Sequence, residues 1–363
     1  MNHTDNIPTA TDTSVSSSHS PSLPFTPSHS PSLSFTPSHS PSLPFTPSHS
    51  PIIGLSPMDD ITDLPFRQLC KEMGADLLIT EFIASEALNR DAEKSFRKMR
   101  FTPEQRPIGI QVFGADEEEL LRCLEVVEQA QPDFIDINWG CPVRKVAGKG
   151  AGSGILQDIP KMLKITSSMV QRAHLPVTVK TRLAYNADSM PVTDFAEALQ
   201  DTGISALSIH GRTKAQMYSG VADWSMIGKV KNNPRIHIPI FGNGDVSSAA
   251  QAVDNKNRYG VDGILIGRAA IGNPWIFEQC QRAFQGLPER EISVAERVDV
   301  CRRHLQAAID FKGERTAIFE MRKHYGNYFR GLFNFKPFRL ALVATPTAEA
   351  TFEVLNRIKE HYQ

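Results

Sequence analysis

Long apolar runs are missing from this 363-residue chain. No stretch approaches the ~18 consecutive apolar residues that a membrane-spanning helix needs, so no span is expected. Cysteine is scarce: Cys70, Cys123, Cys141, Cys280 and Cys301 are scattered, odd in number and without a C-x-x-C pair. With no secretory apolar region either, a disulfide framework is excluded and a monomer in a reducing, cytoplasmic setting is expected. His and Cys never fall at zinc-ligand spacing, so no metal site is expected. Charge of one sign is also missing, since 39 Lys and Arg against 40 Asp and Glu leave a net −1. The overall balance therefore gives no sign of a polyanionic partner. What is present is 40% apolar residues, enough for one large core and a smaller one beside it.

The chain begins with a segment that lacks the apolar surface to fold. A decamer, His19-Ser-Pro-Ser-Leu-Pro-Phe-Thr-Pro-Ser28, recurs at His29 and His39, the second copy carrying Ser34 in place of Pro. Ser, Thr and Pro dominate, so residues 1–51 are expected to be a disordered tail. A modifiable or partner-binding tail, a repeat expansion without function and an overextended gene start all remain open.

From Ile52 onward, eight short apolar runs recur: Ile52–Met58, Leu77–Glu81, Pro107–Phe113, Asp133–Asn138, Pro176–Arg182, Ala206–His210, Ile238–Asn243 and Val261–Gly267. Most are rich in β-branched residues and do not alternate, as strands buried on both faces should be. Amphipathic stretches such as Asp116–Ala130 and Val192–Thr202 lie between them. The pattern is βα repeated, and eight units predict an α/β fold, a (β/α)8 TIM barrel over residues 52–285. A doubly wound sheet is the rival, but it carries a glycine fingerprint after its first strand, and Ser56-Pro57-Met58-Asp59 has none.

Barrels of this kind keep their chemistry at the C-terminal ends of the strands, and here those ends are polar. They carry Met58 with Asp59, Glu81, Gln111, Asn138, Lys180 with Arg182, His210 with Arg212, Asn243-Gly244-Asp245, and Gly267-Arg268. The last two loops turn through glycines into helices, and loops after strands seven and eight are a frequent phosphate site. Arg268 adds a fixed cationic fork, so a phosphorylated cofactor is expected there. Lys180 and His210 should project toward the barrel axis, where a ring that gains negative charge on reduction would compensate a lysine. Gln111 offers a donor and an acceptor to such a ring's pyrimidine edge. Together these favour flavin mononucleotide (FMN).

Cys141 follows Asn138-Trp139-Gly140 and precedes Pro142, with Lys145, Lys149 and a glycine-rich stretch after it. It is expected to be exposed on a mobile loop, where a thiol near its reference pKa of about 8.5 can act as a general acid. The other four cysteines fall in helical patterns and are expected to be small buried hydrophobes.

Residues 286–363 read as a small helical domain, with Val294, Val298, Cys301, Leu305 and Ile309 on one stripe and Phe352, Leu355 and Tyr362 on another. Between them, Met321–Ala348 holds Arg322, Lys323, Arg330, Lys336 and Arg339 among aromatics, without Asp or Glu. The aromatics are expected in the core.

Six segments in order, Ser56–Arg67, Ile135–Pro142, Lys180–Arg182, Ile209–Thr213, Gly242–Val246 and Ile266–Ala269, together resemble the tRNA-dihydrouridine synthases. The resemblance covers residues 52–340, and Asn-x-Gly-Cys-Pro is its most specific part. It implies reduction of uridines in tRNA with FMN and NADPH. Carried over, Pro57, Met58, Asp59 and Gln111 would contact the flavin, Lys180 and His210 its pyrimidine and ribityl parts, and Asn243, Gly244, Asp245, Gly267 and Arg268 its phosphate. Cys141 would donate the proton, Asn138 and Arg182 would hold the substrate base, and Arg322, Lys323 and Arg330 would contact tRNA. Ser56 and Trp139 depart from the family pattern, and Trp139 bears on how closely the loop and base pack. The competing readings are an FMN barrel acting on a free pyrimidine, like dihydroorotate dehydrogenase, and a non-catalytic RNA-binding barrel.

Overall fold

The computed structural model describes residues 51–362 apart from Asp91. The decamer repeats lie outside the described residues. Nine strand segments form one parallel sheet: β1 (Ile52–Leu55), β2 (Leu78–Ile79), β3 (Ile83–Ala84), β4 (Ile108–Phe113), β5 (Phe134–Trp139), β6 (Val177–Arg182), β7 (Ala206–His210), β8 (Ile240–Asn243) and β9 (Gly263–Ile266). Their order is β1-β9-β8-β7-β6-β5-β4-β2, with β3 also on β4. The two ends meet where Leu55 N donates to Leu77 O at 2.9 Å and Gly54 bridges Leu77, so the sheet curls into a nearly closed barrel of eight positions.

Each apolar run supplies a strand, with one departure. Of the run expected as a strand over Leu77–Glu81 only Leu78–Ile79 (β2) is strand, and a second short piece, β3, follows beyond the run at Ile83–Ala84. Between them Thr80 Oγ1 accepts from Gln111 N and donates to Glu81 O, while the Glu81 carboxylate accepts from Asp60 N. Side chains there take bonds that a continuous ladder would have made, and the strand breaks.

Inside the barrel, Leu77, Ile79, Phe134, Ala206, Phe241 and Leu265 form a separate apolar plug. It requires glycine at 263, because a Cβ there would stand 2.3 Å from the Phe241 ring. The outer core lies between the strands and the surrounding helices. Side-chain caps fix several of those helices: Asp116 accepts from Glu119 N, Asp158 from Lys161 N and Ser248 from Gln251 N. Each such cap contributes about 1 kcal/mol. Cys70, Cys123, Cys280 and Cys301 are all buried, as expected of small hydrophobes.

After the barrel come helices Val294–Lys312, Glu314–Tyr328, Lys336–Ala344 and Ala348–His361. Val298, Cys301 and Leu305 are buried along the first, matching its apolar stripe. The first two of these helices pack on barrel helix Leu64–Glu72: the Phe66 ring lies 5.3 Å from His304 of the first and 5.0 Å from His324 of the second. Lys312 pairs with Asp63 and Glu320 beside them. The core is continuous across residue 285. Among the described residues, no helix is long and apolar enough to cross a membrane.

Candidate active site

The C-terminal ends of the strands open on a cavity of about 2100 Å³. A drug-sized ligand typically fills roughly 300–1,000 Å³, so this cavity has room for a cofactor and a nucleotide together. Ser56, Pro57, Met58, Asp59, Asn138, Cys141, Lys180, Arg182, His210, Asn243, Gly244, Asp245, Gly267, Arg268 and Arg330 all line it. Strand register explains the convergence. Asn138 on β5 pairs with Lys180 on β6, and His210 on β7 pairs with both Arg182 and Asn243. Side chains two apart on a strand share a face, so Lys180 and Arg182 point the same way.

Gln111 is brought close but not into the cavity lining. It is fully buried, its Nε2 donates to Asp136 Oδ2 at 2.5 Å and its Oε1 accepts from Asn138 Nδ2 at 2.9 Å. Asp136 Oδ1 accepts from Thr178 Oγ1 at 2.5 Å. Asn138 completes the series, since its Oδ1 accepts from Gly140 N at 3.0 Å and Cys141 N at 2.8 Å. A buried chain from Thr178 through Asp136, Gln111 and Asn138 therefore sets the backbone of the cysteine. Burial raises the Asp136 carboxyl above its usual range despite the two donors.

Cys141 itself is not exposed. It is 7% accessible, and the glycine-rich segment after it folds back as a cover. Ser153 donates to Cys141 O through both N and Oγ, at 3.0 and 2.8 Å. Gly152, at φ +52, comes so close that a Cβ would lie 2.9 Å from the same oxygen. Burial pushes the thiol above its ordinary value, which keeps it protonated at neutral pH. Trp139 is not among the residues lining the cavity: its indole N–H donates to Thr166 on helix Ile159–Arg172.

The neighbouring strand ends are cationic. Lys180 Nζ donates to Asn243 Oδ1 at 3.0 Å, and burial followed by nearby Arg182 lowers its pKa to about 8. Arg182 holds three carbonyls, Gly140 O, Thr213 O and Met217 O, at 2.8 to 2.9 Å. Burial lowers its pKa to about 10. The sequence pointed to Arg182 as a substrate ligand, whereas its bonds tie the cysteine loop to the loop after β7. Burial, then the positive charge of Lys180, Arg182, Arg212 and Arg268, drops His210 to about 2, so its ring is neutral.

Asp245, expected beside the phosphate, is held by two arginines. Burial acts to raise its pKa, but Arg212 and the N–H of Ala222 outweigh this and hold it below the usual carboxylate range. Arg212 reaches it at 2.6 and 3.0 Å, and Arg268 at 3.1 Å. An anionic carboxylate with these partners orients two guanidinium groups and is a poor neighbour for phosphate itself. Asp59 likewise pairs with Lys98, which also lies 3.5 Å from Glu81. The carboxylates of Asp59, Asp60 and Glu81 lie within 4.8 Å of one another around that lysine.

Sequence reasoning gave two residues no role, naming Arg212 only among the polar strand ends and not naming Tyr218. Arg212 is buried and also holds Ser219 O and Gly220 O. Its place two residues past His210 was the available signal. Tyr218 is half exposed, with its ring 5.7 Å from Arg182 and 5.2 Å from Arg268, and no pattern in the sequence marks it. Of the basic residues in the helical part, Arg330 lines the cavity, whereas Arg322 and Lys323 line a neighbouring groove with Arg339.

Comparison with known proteins follows this geometry. The sequence model described as dihydrouridine synthase (Dus) matches residues 54–362. A probable tRNA-dihydrouridine synthase of Rickettsia conorii is 34% identical over 290 residues, 79% of this chain and 87% of that protein. The tRNA-dihydrouridine synthase B of Pseudomonas syringae pv. tomato is 35% identical over 292 residues, 77% of this chain and 86% of that protein. The protein of the same name from Xanthomonas campestris pv. campestris is 35% identical over 297 residues, 82% of this chain and 89% of that protein.

Proposed function

Because the chain belongs to the dihydrouridine synthase family, we propose that it reduces uridines of tRNA to 5,6-dihydrouridine at the barrel mouth, with Cys141 as the proton donor. The observation that carries this reading is a protonated, backbone-fixed thiol sharing one cavity with Lys180, Arg182, His210 and Arg268.

The uracil C5=C6 bond is conjugated to the C4 carbonyl, so hydride adds at C6 and leaves an enolate that must be protonated at C5. Cys141 Sγ supplies that proton, and its raised pKa keeps it in the acid form. Asn138 acts on the substrate indirectly, through the loop it holds. Lys180, charged below about pH 8, stabilises negative charge in the cavity.

The residues present fit a flavin phosphate. Four cations surround His210, and among the described residues Asp245 pairs with two of them, which leaves positive charge for a bound anion. FMN, re-reduced by NADPH, would supply the hydride when bound. Pro57 and Met58 would lie along the ring, Lys180 and His210 would meet its polar edge, and Asn243, Gly244, Gly267 and Arg268 would hold the phosphate, with Asp245 orienting the arginine. Gln111 would act from behind, by holding Asn138.

A uridine stacked in folded RNA cannot reach this cavity, so it must be extracted, at a few kcal/mol offset by backbone contacts. Purified protein supplied with FMN and NADPH is expected to form dihydrouridine in an unmodified tRNA transcript and not in free uridine. Equal turnover of the free nucleoside, or no product from any tRNA, would contradict the reading.

A further inference from the structure

We propose that Asp136, sealed inside the barrel beneath the site, is the counter-charge that keeps Lys180 a cation. It is thus a positioning residue that acts through Lys180 and touches no substrate. Its consequence for uridine reduction rests on the reading above, whereas the charge pair itself is tested without cofactor or tRNA.

Asp136 is 1% exposed, and Phe134, two residues earlier on the same strand face, belongs to the apolar plug. Burying a carboxylate there is costly unless another charge compensates it. Its hydrogen bonds do not account for the charge. Both donors, Gln111 Nε2 and Thr178 Oγ1 at 2.5 Å, are neutral. An Asn in its place would accept from Gln111 and donate to the Thr178 hydroxyl, so the same contacts can be made without an anion. What an Asn lacks is the charge.

Strand register supplies the partner. Asp136 pairs with Thr178 and Asn138 with Lys180, so on the shared face of β5 and β6 the carboxylate lies one layer below the lysine. Lys180 is 9% exposed, and its Nζ donates to the neutral Asn243 Oδ1 at 3.0 Å. Arg182 on its own strand opposes its charge, Cys141 after β5 is a protonated thiol, and His210 on β7 is a neutral ring. Asp245 is taken by Arg212 and Arg268, and Asp59 and Glu81 by Lys98. Burial disfavours charge on both members of the pair. Against it, Asp136 raises Lys180, and Lys180 joins Thr178 and Gln111 in lowering Asp136. From beneath, the anion holds the lysine charged without entering the cavity, where it would repel a developing enolate.

The test follows Lys180 by NMR in the full chain as purified, labelled with isotopic carbon at lysine Cε, its resonance being the one lost in Lys180→Met. The wild-type lysine should titrate at about 8. In Asp136→Asn, which keeps the shape, its proton affinity should fall about tenfold, and the upper limb of the pH profile for tRNA reduction should move about one pH unit toward acid with it. A lysine that titrates in Asp136→Asn as in the wild type overturns the charge pair, and a shifted lysine with an unmoved pH profile overturns the positioning role. If Asp136→Asn does not fold, Lys180→Met takes its place. The Asp136 carboxyl, followed in protein labelled at aspartate Cγ, should then keep its proton to about one pH unit higher than in the wild type, and an unmoved carboxyl overturns the pair. A shifted lysine in a protein that forms no dihydrouridine from any tRNA supports the charge pair and removes only the reading of function.

Discussion

At the scale of single residues, the polar chain behind Cys141 is the feature that most changes how the motif is understood. Asn138, Gln111, Asp136 and Thr178 all look like candidates for ligand contact when they are seen only as polar side chains near strand ends. Their hydrogen bonds show that they hold one another and, at the end of the series, the amides of Gly140 and Cys141. Replacing Gln111 by Leu orphans a buried Asp136 oxygen and the Asn138 amide. Leaving buried polar groups unpaired costs ~1–3 kcal/mol each. Gln111→Leu should therefore lower stability by at least that much in urea unfolding and slow tRNA reduction, because the thiol's backbone loses its support. A variant with wild-type stability and rate would remove Gln111 from this role.

The same residues mark the limit of what the sequence disclosed. Strand-end position told which side chains gather at the mouth, and Lys180, His210, Asn243 and Arg268 are indeed there together. It did not tell which neighbour takes each hydrogen bond, because that depends on cross-strand register. For this reason the pairing of Asp245 with Arg212, both named at strand ends, could not be read from the sequence. Cys141 looked exposed because glycines followed it. Those glycines allow a close turn back over the thiol, with Gly152 in the left-handed region against Cys141 O.

At the scale of elements, periodicity was sufficient for most of the barrel. The amphipathic stretch Asp116–Ala130 is helix Glu117–Gln129 with Asp116 as its cap, and Val192–Thr202 is helix Val192–Asp201. The second strand was misread because its pairing is interrupted by side-chain bonds at Thr80 and Glu81, which an apolar count cannot register.

The contact between barrel helix Leu64–Glu72 and the C-terminal helices was invisible in the sequence, and it carries its own consequence. His304 and His324 are buried there with ring centroids 4.7 Å apart. Burial first, then Lys312, lowers His304 to about 3. Burial, His304, Lys312 and Lys323 lower His324 well below its usual value, against the opposing influence of Asp63. Both rings are neutral when folded, whereas an unfolded histidine takes up a proton below about pH 6.5. The unfolded state thus binds more protons, so the stability from these groups is present above pH 6.5 and is lost as pH falls from there toward 3. Each histidine contributes a slope of up to about 1.4 kcal/mol per pH unit. His324→Phe should flatten the decline between pH 6 and 4 by about one such slope, measured by urea unfolding. An unchanged slope would mean that His324 is not held neutral by the fold.

At the scale of the whole molecule, a net charge of −1 conceals an uneven distribution. Acidic residues crowd the barrel rim at Asp59, Asp60 and Glu81, while the helical part presents Arg330 in the cavity and Arg322, Lys323 and Arg339 in the groove beside it. Composition alone hid this because sums over a chain erase placement. The fold brings a buried thiol, cationic side chains and a basic approach to one opening.

The claim that Cys141 delivers the C5 proton is tested most directly by single-turnover dihydrouridine formation in a tRNA transcript, comparing wild type with Cys141→Ala. General-acid catalysis contributes typically 10²–10⁴-fold, so the alanine variant should bind tRNA as the wild type does and form product slower by about that factor. Product formation by the variant at the wild-type rate would contradict the account.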